Sequence, residues 1–238
     1  MPSRDNPAAV LFDRDGTLIV NVPYNRDPGR VEPVPGALRA LDRVRRAGVP
    51  VGVITNQSGV ARGLIGAEEL REVNARVDEL LGPFAVWAVC PHGESDGCGC
   101  RKPAPGLVLR AAAALGVDAR DCVVIGDIGR DVEAARAAGA RGILVPTPQT
   151  LPCEVEAAEE VADDLAAAVD RVIGTAADGE ARAAAGTARS GSPRGTAQNE
   201  PPAGAARSGS PGGTARKEPP GGAARSGSRA RPDAGARS

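Results

Sequence analysis

Two carboxylates one residue apart, Asp13 and Asp15, stand at the end of a short apolar run, Val10-Leu11-Phe12, and are followed by Gly16 and Thr17. The run has the length of a buried strand, and Gly16 breaks it. In an open α/β sheet, groups just past a strand's carboxyl end face a crevice where ligands bind. Paired carboxylates there can divide the work. One side chain and one main-chain carbonyl hold a metal, while the other carboxyl turns towards a leaving group. Two plainer readings compete. Asp-x-Asp-Gly opens calcium loops, but counted from Asp13 an EF-hand needs Gly and Glu where this chain has Leu18 and Tyr24. A structural turn also uses Asp and Gly, and the motif alone leaves that reading open.

Three further polar clusters follow apolar runs. Thr55-Asn56-Gln57-Ser58-Gly59 follows Val51–Ile54, and Asp127 and Asp131 follow Cys122–Ile125. Arg101 and Lys102 lie past a loop of soft ligands, Cys90, His92, Cys98 and Cys100, which itself follows the apolar run Phe84–Val89. Three thiolates and one imidazole form a closed Cys₃His set. That composition is typical of structural zinc, whereas catalytic zinc keeps one position open for water. Unmetallated thiols in a loop are the plainer alternative, but packing gives no reason to gather four such residues. Cys122 reads as an ordinary strand residue, and Cys153 has no evident partner.

These clusters need elements to hold them. Leu38, Leu41 and Val44 have helical spacing, as do Leu70, Val73, Val77 and Leu80 within Glu68–Leu81. Further helices are expected over Pro105–Leu115, Asp131–Ala138 and about Asp163–Ile173, with a last strand over Gly142–Val145. Strands alternating with helices predict an α/β fold, a doubly wound, Rossmann-like parallel sheet. Such a sheet brings all four clusters to one edge.

Composition bounds the rest. The 238 residues are 42% hydrophobic but only 2% aromatic, so Val, Leu, Ala and Ile must fill the core. From Ala181 onward ten Arg/Lys face three Asp/Glu, leaving nineteen against twenty-seven before it. The segment Gly186–Ser192 recurs at Gly204–Ser210 and Gly222–Ser228, every 18 residues, with little that could be buried. Ordering costs of roughly 1–2 kcal/mol per residue then go unmet. A domain over residues 1–173 and a disordered, low-complexity tail over 174–238 are therefore expected. The tail's weak basic charge touches nucleic acid at most incidentally, and a solvated tail without a partner is preferred. No charged-then-apolar leader precedes the first run, and no stretch approaches the ~18 apolar residues of a membrane span. The chain is expected to be cytoplasmic and monomeric. Five Cys in that setting favour metal or catalysis over disulfides.

Asp-x-Asp-Gly-Thr-Leu resembles the first motif of the haloacid-dehalogenase-like (HAD) phosphatases. The four clusters, in order, resemble that family's four motifs over residues 8 to about 173. The resemblance implies that Asp13 is the nucleophile, forming an aspartyl-phosphate, and that Asp15 is the general acid/base. Thr55 and Lys102 would stabilise the phosphoryl group, with Asp131 in support. Mg²⁺ would be held by the carboxylates of Asp13 and Asp127 and by the carbonyl of Asp15. A dehalogenase has no need of a second Asp at position 15. Cys-Pro-His…Cys-x-Cys-Arg-Lys-Pro, with Asp-Arg-Asp-Gly-Thr and Thr-Asn-Gln-Ser-Gly, is similar to the D-glycero-D-manno-heptose 1,7-bisphosphate 7-phosphatases. The same pattern marks the related histidinol-phosphate phosphatases. Both belong to the capless class, so the resemblance implies a capless domain acting on a small phosphorylated metabolite, with the Zn²⁺ read above in the loop 90–100. In that resemblance Asn56 and Arg101 contact substrate. Two departures stand out. Ile128 follows Asp127 where the heptose enzymes carry Lys, and the zinc loop is short, a length that fits the histidinol phosphatases as much as the heptose enzymes. The leading expectation is a sugar-phosphate phosphatase acting on heptose bisphosphate at C7. Histidinol phosphate is the alternative substrate, and a phosphosugar-binding scaffold with a relic site is the non-enzymatic alternative.

Overall fold

The structure, a computed structural model, describes residues 6–174. The tail expected beyond Ile173 lies, apart from Gly174, outside the described residues. Five strands form one parallel sheet: β1 (Ala9–Phe12), β2 (Val51–Asn56), β3 (Val86–Cys90), β4 (Cys122–Gly126) and β5 (Arg141–Leu144), in the order β3-β2-β1-β4-β5. Every residue of β1 is buried, as befits a central strand covered on both faces. Its register sets Val10 against Val51 on one side and against Val123 on the other. The chain leaves β1 for β2 on one side and reaches β4 on the other. The topological switch point, where such sheets bind ligands, therefore lies between β1 and β4.

Helices cover both faces. One core layer joins Val10 and Phe12 to α1 (Ala37–Arg46), α2 (Ala67–Leu81) and α6 (Leu165–Ile173). The other joins Ala9 and Leu11 to α3 (Gly106–Leu115) and α4 (Gly129–Ala137). The alternation of neighbouring β1 residues between the two layers is the period of two that a strand imposes. Among the described residues no domain is inserted between the motifs. The segment from Asp13 to Gly36 holds a 3-10 turn at Pro28–Arg30 and isolated bridges from Ile19 to Asp15 and Pro33, and residues 57–66 hold no helix.

Several elements differ from expectation. Leu38 is 50% exposed, and α1 instead buries Ala37, Ala40, Leu41 and Val44. Steps of three alone drift around a helix, and the buried stripe needs steps of both three and four. Strand β3 begins at Val86, because Phe84 follows Gly82-Pro83 and packs edge-on against Trp87 at 5.4 Å. Helix α4 begins at Gly129, so Asp131 lies in its first turn, where its side chain accepts from the main-chain N–H of Ile128 at 3.2 Å. A short helix, α5 (Pro152–Ala157), was not expected, and it buries no residue.

Candidate active site

The strand ends supply the frame. The N–H of Asp13 donates to the carbonyl of Ile125 at 2.9 Å, so the β1–β4 ladder runs into the first acidic residue. Gly16 then turns with φ of +88°, and a Cβ there would lie 2.2 Å from Oδ2 of Asp127. Only glycine meets both demands. At the end of β4, a Cβ on Gly126 would lie 2.3 Å from the Cβ of Asp131. Small residues at these two corners let three carboxylates crowd together.

Asp13, Asp127 and Asp131 are all buried, with carboxylate oxygens within 4.8 Å of one another. Lys102 reaches into the group. Its ammonium lies 2.5 Å from Oδ1 of Asp13 and 2.5 Å from Oδ1 of Asp131, and donates to the carbonyl of Ile54 at 3.0 Å. Three buried carboxylates against one ammonium leave negative charge uncompensated, which is costly away from water. Burial and these charges together shift Asp13, Asp127 and Lys102. Burial raises Asp13 well above the usual carboxylate range, against the opposing pull of Lys102. Burial, followed by the charge of Asp131, pushes Asp127 up to about 7. Burial alone would lower the Lys102 ammonium, but Asp13 and Asp131 outweigh it and hold it above its ordinary value. A divalent cation fits this excess charge and this all-oxygen donor set.

Above the cluster lies a cleft of about 240 Å³ whose lining includes Asp13, Asp15, Thr55, Asn56, Lys102 and Asp127. Asp15 stands apart from the other three carboxylates, held by Arg14 and by Gln57, which donates to its Oδ2 at 2.8 Å. The same Gln57 amide donates to the hydroxyl of Thr55 at 2.8 Å. Thr17 donates to Oδ1 of Asp127 at 3.3 Å, and Thr150 to that residue's carbonyl at 2.5 Å. Asn56 lines the cleft, yet both ends of its amide engage the main chain of Lys102, each at 3.1 Å. Arg101 is not among the residues lining the cleft. It lies in the adjoining hollow, where its guanidinium and that of Arg130 both donate to Oε1 of Glu94, at 3.3 and 3.0 Å.

The Cys/His loop closes on itself. Sγ of Cys100 lies 3.3 Å from Sγ of Cys90, 3.5 Å from that of Cys98 and 3.3 Å from Nδ1 of His92. Cys90 is 3.7 Å from Cys98 and 3.6 Å from His92 Nδ1. Ligands about 2.3 Å from a tetrahedral zinc stand roughly 3.8 Å from one another, so these edges fit such an ion after a small expansion. None of the five cysteines is in a disulfide. Burial pushes the Cys90 thiol up to about 12. At Cys98 burial acts in the same direction, but the Arg101 N–H and the neighbouring thiols hold it at about 7.

The structure thus gathers Asp13, Asp15, Thr55, Asn56, Lys102, Asp127 and Asp131 at one sheet edge, with Cys90, His92, Cys98 and Cys100 in a second group beside it. Arg14, Gln57 and Thr150 also hold the site without a role assigned from sequence, as does Thr17, whose place after the paired carboxylates was noted but not its contact with Asp127. Arg14 and Gln57 were visible within the motifs, but nothing local indicated where their side chains turn.

The chain is similar to several known proteins. A match to the HAD-hydrolase-like family spans residues 99–168. The D-glycero-beta-D-manno-heptose-1,7-bisphosphate 7-phosphatase of Pseudomonas aeruginosa is 36% identical over 172 residues, 69% of this chain and 97% of that protein. The protein of that name from Pseudomonas putida is 35% identical over 172 residues, covering 69% of this chain and 98% of its own. Among solved structures, the D,D-heptose 1,7-bisphosphate phosphatase of Bordetella bronchiseptica, complexed with magnesium and phosphate, superposes with a TM-score of 0.61 at 31% identity. That match covers 68% of this chain and 97% of the other. With the parallel sheet, the acidic cluster at its switch point and this identity over nearly the whole length of those relatives, the chain belongs to the heptose-bisphosphate phosphatase family of HAD-like hydrolases.

Proposed function

We propose that this protein hydrolyses D-glycero-D-manno-heptose 1,7-bisphosphate at C7. The observation that carries the reading is the meeting of Asp13, Lys102 and Asp127 at the β1/β4 switch point, in a chain 36% identical to a named heptose-bisphosphate phosphatase. A phosphomonoester is dianionic, so a carboxylate approaches it against repulsion. Lys102 supplies a fixed positive charge for the phosphoryl oxygens, and the Thr55 hydroxyl and N–H add hydrogen bonds. Mg²⁺, held by Asp13, Asp127 and the carbonyl of Asp15, would neutralise the remaining charge and keep Asp13 ionised. Asp13 attacks phosphorus, the bond to the sugar oxygen breaks, and Asp15 gives that oxygen its proton. Water then attacks the aspartyl-phosphate while Asp15 takes up the water's proton, and phosphate leaves with Asp13 regenerated. Asp131 balances Lys102, and Asn56 fixes the main chain that carries it.

Zn²⁺ at Cys90, His92, Cys98 and Cys100 would order a loop with little apolar content and so steady Arg101 and Lys102 beside the cleft. Arg101 and Arg130 support a bisphosphate, because two guanidiniums already share one exposed carboxylate, Glu94. A second phosphate offers them a stronger, multidentate acceptor. Histidinol phosphate is the competing substrate: Ile128 removes a charge that would suit a second phosphate, and the short zinc loop fits either substrate.

Phosphate release from both substrates, with fructose bisphosphate as control, separates these readings. Heptose bisphosphate is expected to give the highest kcat/KM, and Arg101→Ala to narrow the gap mainly through KM. A tenfold advantage for histidinol phosphate, about 1.4 kcal/mol in the transition state, overturns the substrate assignment. Asp13→Asn should abolish turnover. More than a few per cent of residual activity would remove Asp13 as nucleophile.

A further inference from the structure

Arg14 sits between the two acidic residues of the first motif, yet its side chain is only 2% exposed. Burying a guanidinium is costly unless every donor finds a partner. Its partners are few and specific. Nε donates to Oδ2 of Asp15 at 3.1 Å, and Nη2 donates to Oδ1 at 3.1 Å and to Oδ2 at 2.9 Å. Nη1 donates to Oδ1 of Asn74, on α2, at 2.6 Å. The planar fork is therefore fixed at one end by a helix and grips the Asp15 carboxyl side-on at the other.

The two oxygens of Asp15 are held unequally. Oδ2 accepts from Nε and Nη2 of Arg14 and from Gln57, whereas among the described residues Oδ1 accepts only from Nη2. Oδ2 is the tethered oxygen, and Oδ1 keeps a lone pair for another partner. The Asp15 side chain is 21% exposed and lines the cleft over Asp13. A carboxyl that must deliver a proton to a departing oxygen has to be aimed within hydrogen-bond reach of it. An apolar side chain could fill the space of Arg14 without that geometry.

We propose that Arg14, anchored by Asn74, is the positioning residue that aims Oδ1 of Asp15 at the leaving-group oxygen. This rests on the phosphatase reading above and adds a dependence on the leaving group. An alkoxide needs the proton that Asp15 gives, whereas p-nitrophenolate leaves as a stable anion without it. The ratio kcat/KM reads the first transfer and not the later attack of water.

The test compares kcat/KM on the sugar phosphate and on p-nitrophenyl phosphate for the full chain, Asp15→Asn, Arg14→Met and Asn74→Ala, alongside melting temperatures. Arg14→Met should lose about 30-fold or more on the sugar ester, a part of the roughly 10²–10⁴-fold that general acid catalysis contributes. Its loss on the aryl ester should be at least about tenfold smaller, the same dependence on the leaving group that Asp15→Asn should show. Asn74→Ala should show the same selectivity at smaller amplitude. Equal losses on both esters, or no loss on either, overturn the proposal. If Arg14→Met does not fold, Asn74→Ala decides it by the same criterion. An unmutated chain that releases phosphate from neither ester overturns the phosphatase reading itself, and the proposal with it.

Discussion

The ammonium of Lys102 lies 2.5 Å from Oδ1 of Asp13, and neither side chain is more than a tenth exposed. The two residues are brought together by β1 and by the end of the Cys/His loop. The same ammonium pairs with Asp131 at 2.5 Å, so one positive charge serves two carboxylates.

Removing that charge should therefore harm both fold and chemistry. Lys102→Met leaves three buried carboxylates without a fixed counter-charge. Unfolding free energy should fall by about 3–5 kcal/mol, as when one partner of a buried pair is deleted. Turnover should fall by at least about 100-fold, as for other lost transition-state charge contacts. Urea unfolding and phosphate release read the two effects separately. A variant as stable as the parent would mean that the acidic cluster is balanced in some other way.

Asp127 gives a pH dependence with a definite sign. Its pKa is raised to about 7 in the folded protein, from an ordinary value of 3.8. Between these values the folded state holds a proton that the unfolded state has released. Stability without magnesium should fall as pH rises from about 4 to about 7, and level off above that. Magnesium, which binds the ionised form, should flatten the slope. Melting temperatures from pH 5 to 8, with and without magnesium, check this. A magnesium-free melting temperature that rises across the range would show that other groups outweigh Asp127.

The Cys/His loop should hold about one zinc per chain, and Cys98→Ser should lose it together with much of the activity. Ligation contributes ~10–16 kcal/mol in small zinc peptides, enough to order a loop that buries little apolar surface. Metal analysis of protein purified without chelator is the measurement. Absence of zinc in the parent chain would remove the site.

A chain ending at Gly174 keeps both core layers and every residue of the cleft. It also keeps the contact from Arg43 to the Gly174 carbonyl, 3.0 Å. Its melting temperature and kcat should match those of the full chain within error. A drop of more than about 5 °C, roughly 1 kcal/mol or more for a domain this size, would move the domain boundary beyond residue 174.

What was legible in the sequence was what is local. Asp13, Thr55 and Asp127 each stand directly after a run of buried residues, so the strand end that carries each could be named from its neighbours. The alternation of such runs with helical spacings then implied the parallel sheet. The Cys₃His loop was legible for the same reason, since its ligands lie within eleven residues of one another. Tertiary structure decided the contacts between distant segments. Asn74 meets Arg14 across 60 residues and Thr150 meets Asp127 across 23, and no periodicity encodes either pair. Helix α5 was invisible because it buries nothing and so leaves no apolar period. Asp131 could be placed near the site from its spacing, but its share of Lys102 depends on the β4 corner, where Gly126 leaves room for it. Chemistry written into one strand end can be read locally; the charge balance among four strand ends exists only once the sheet brings them within a few ångströms.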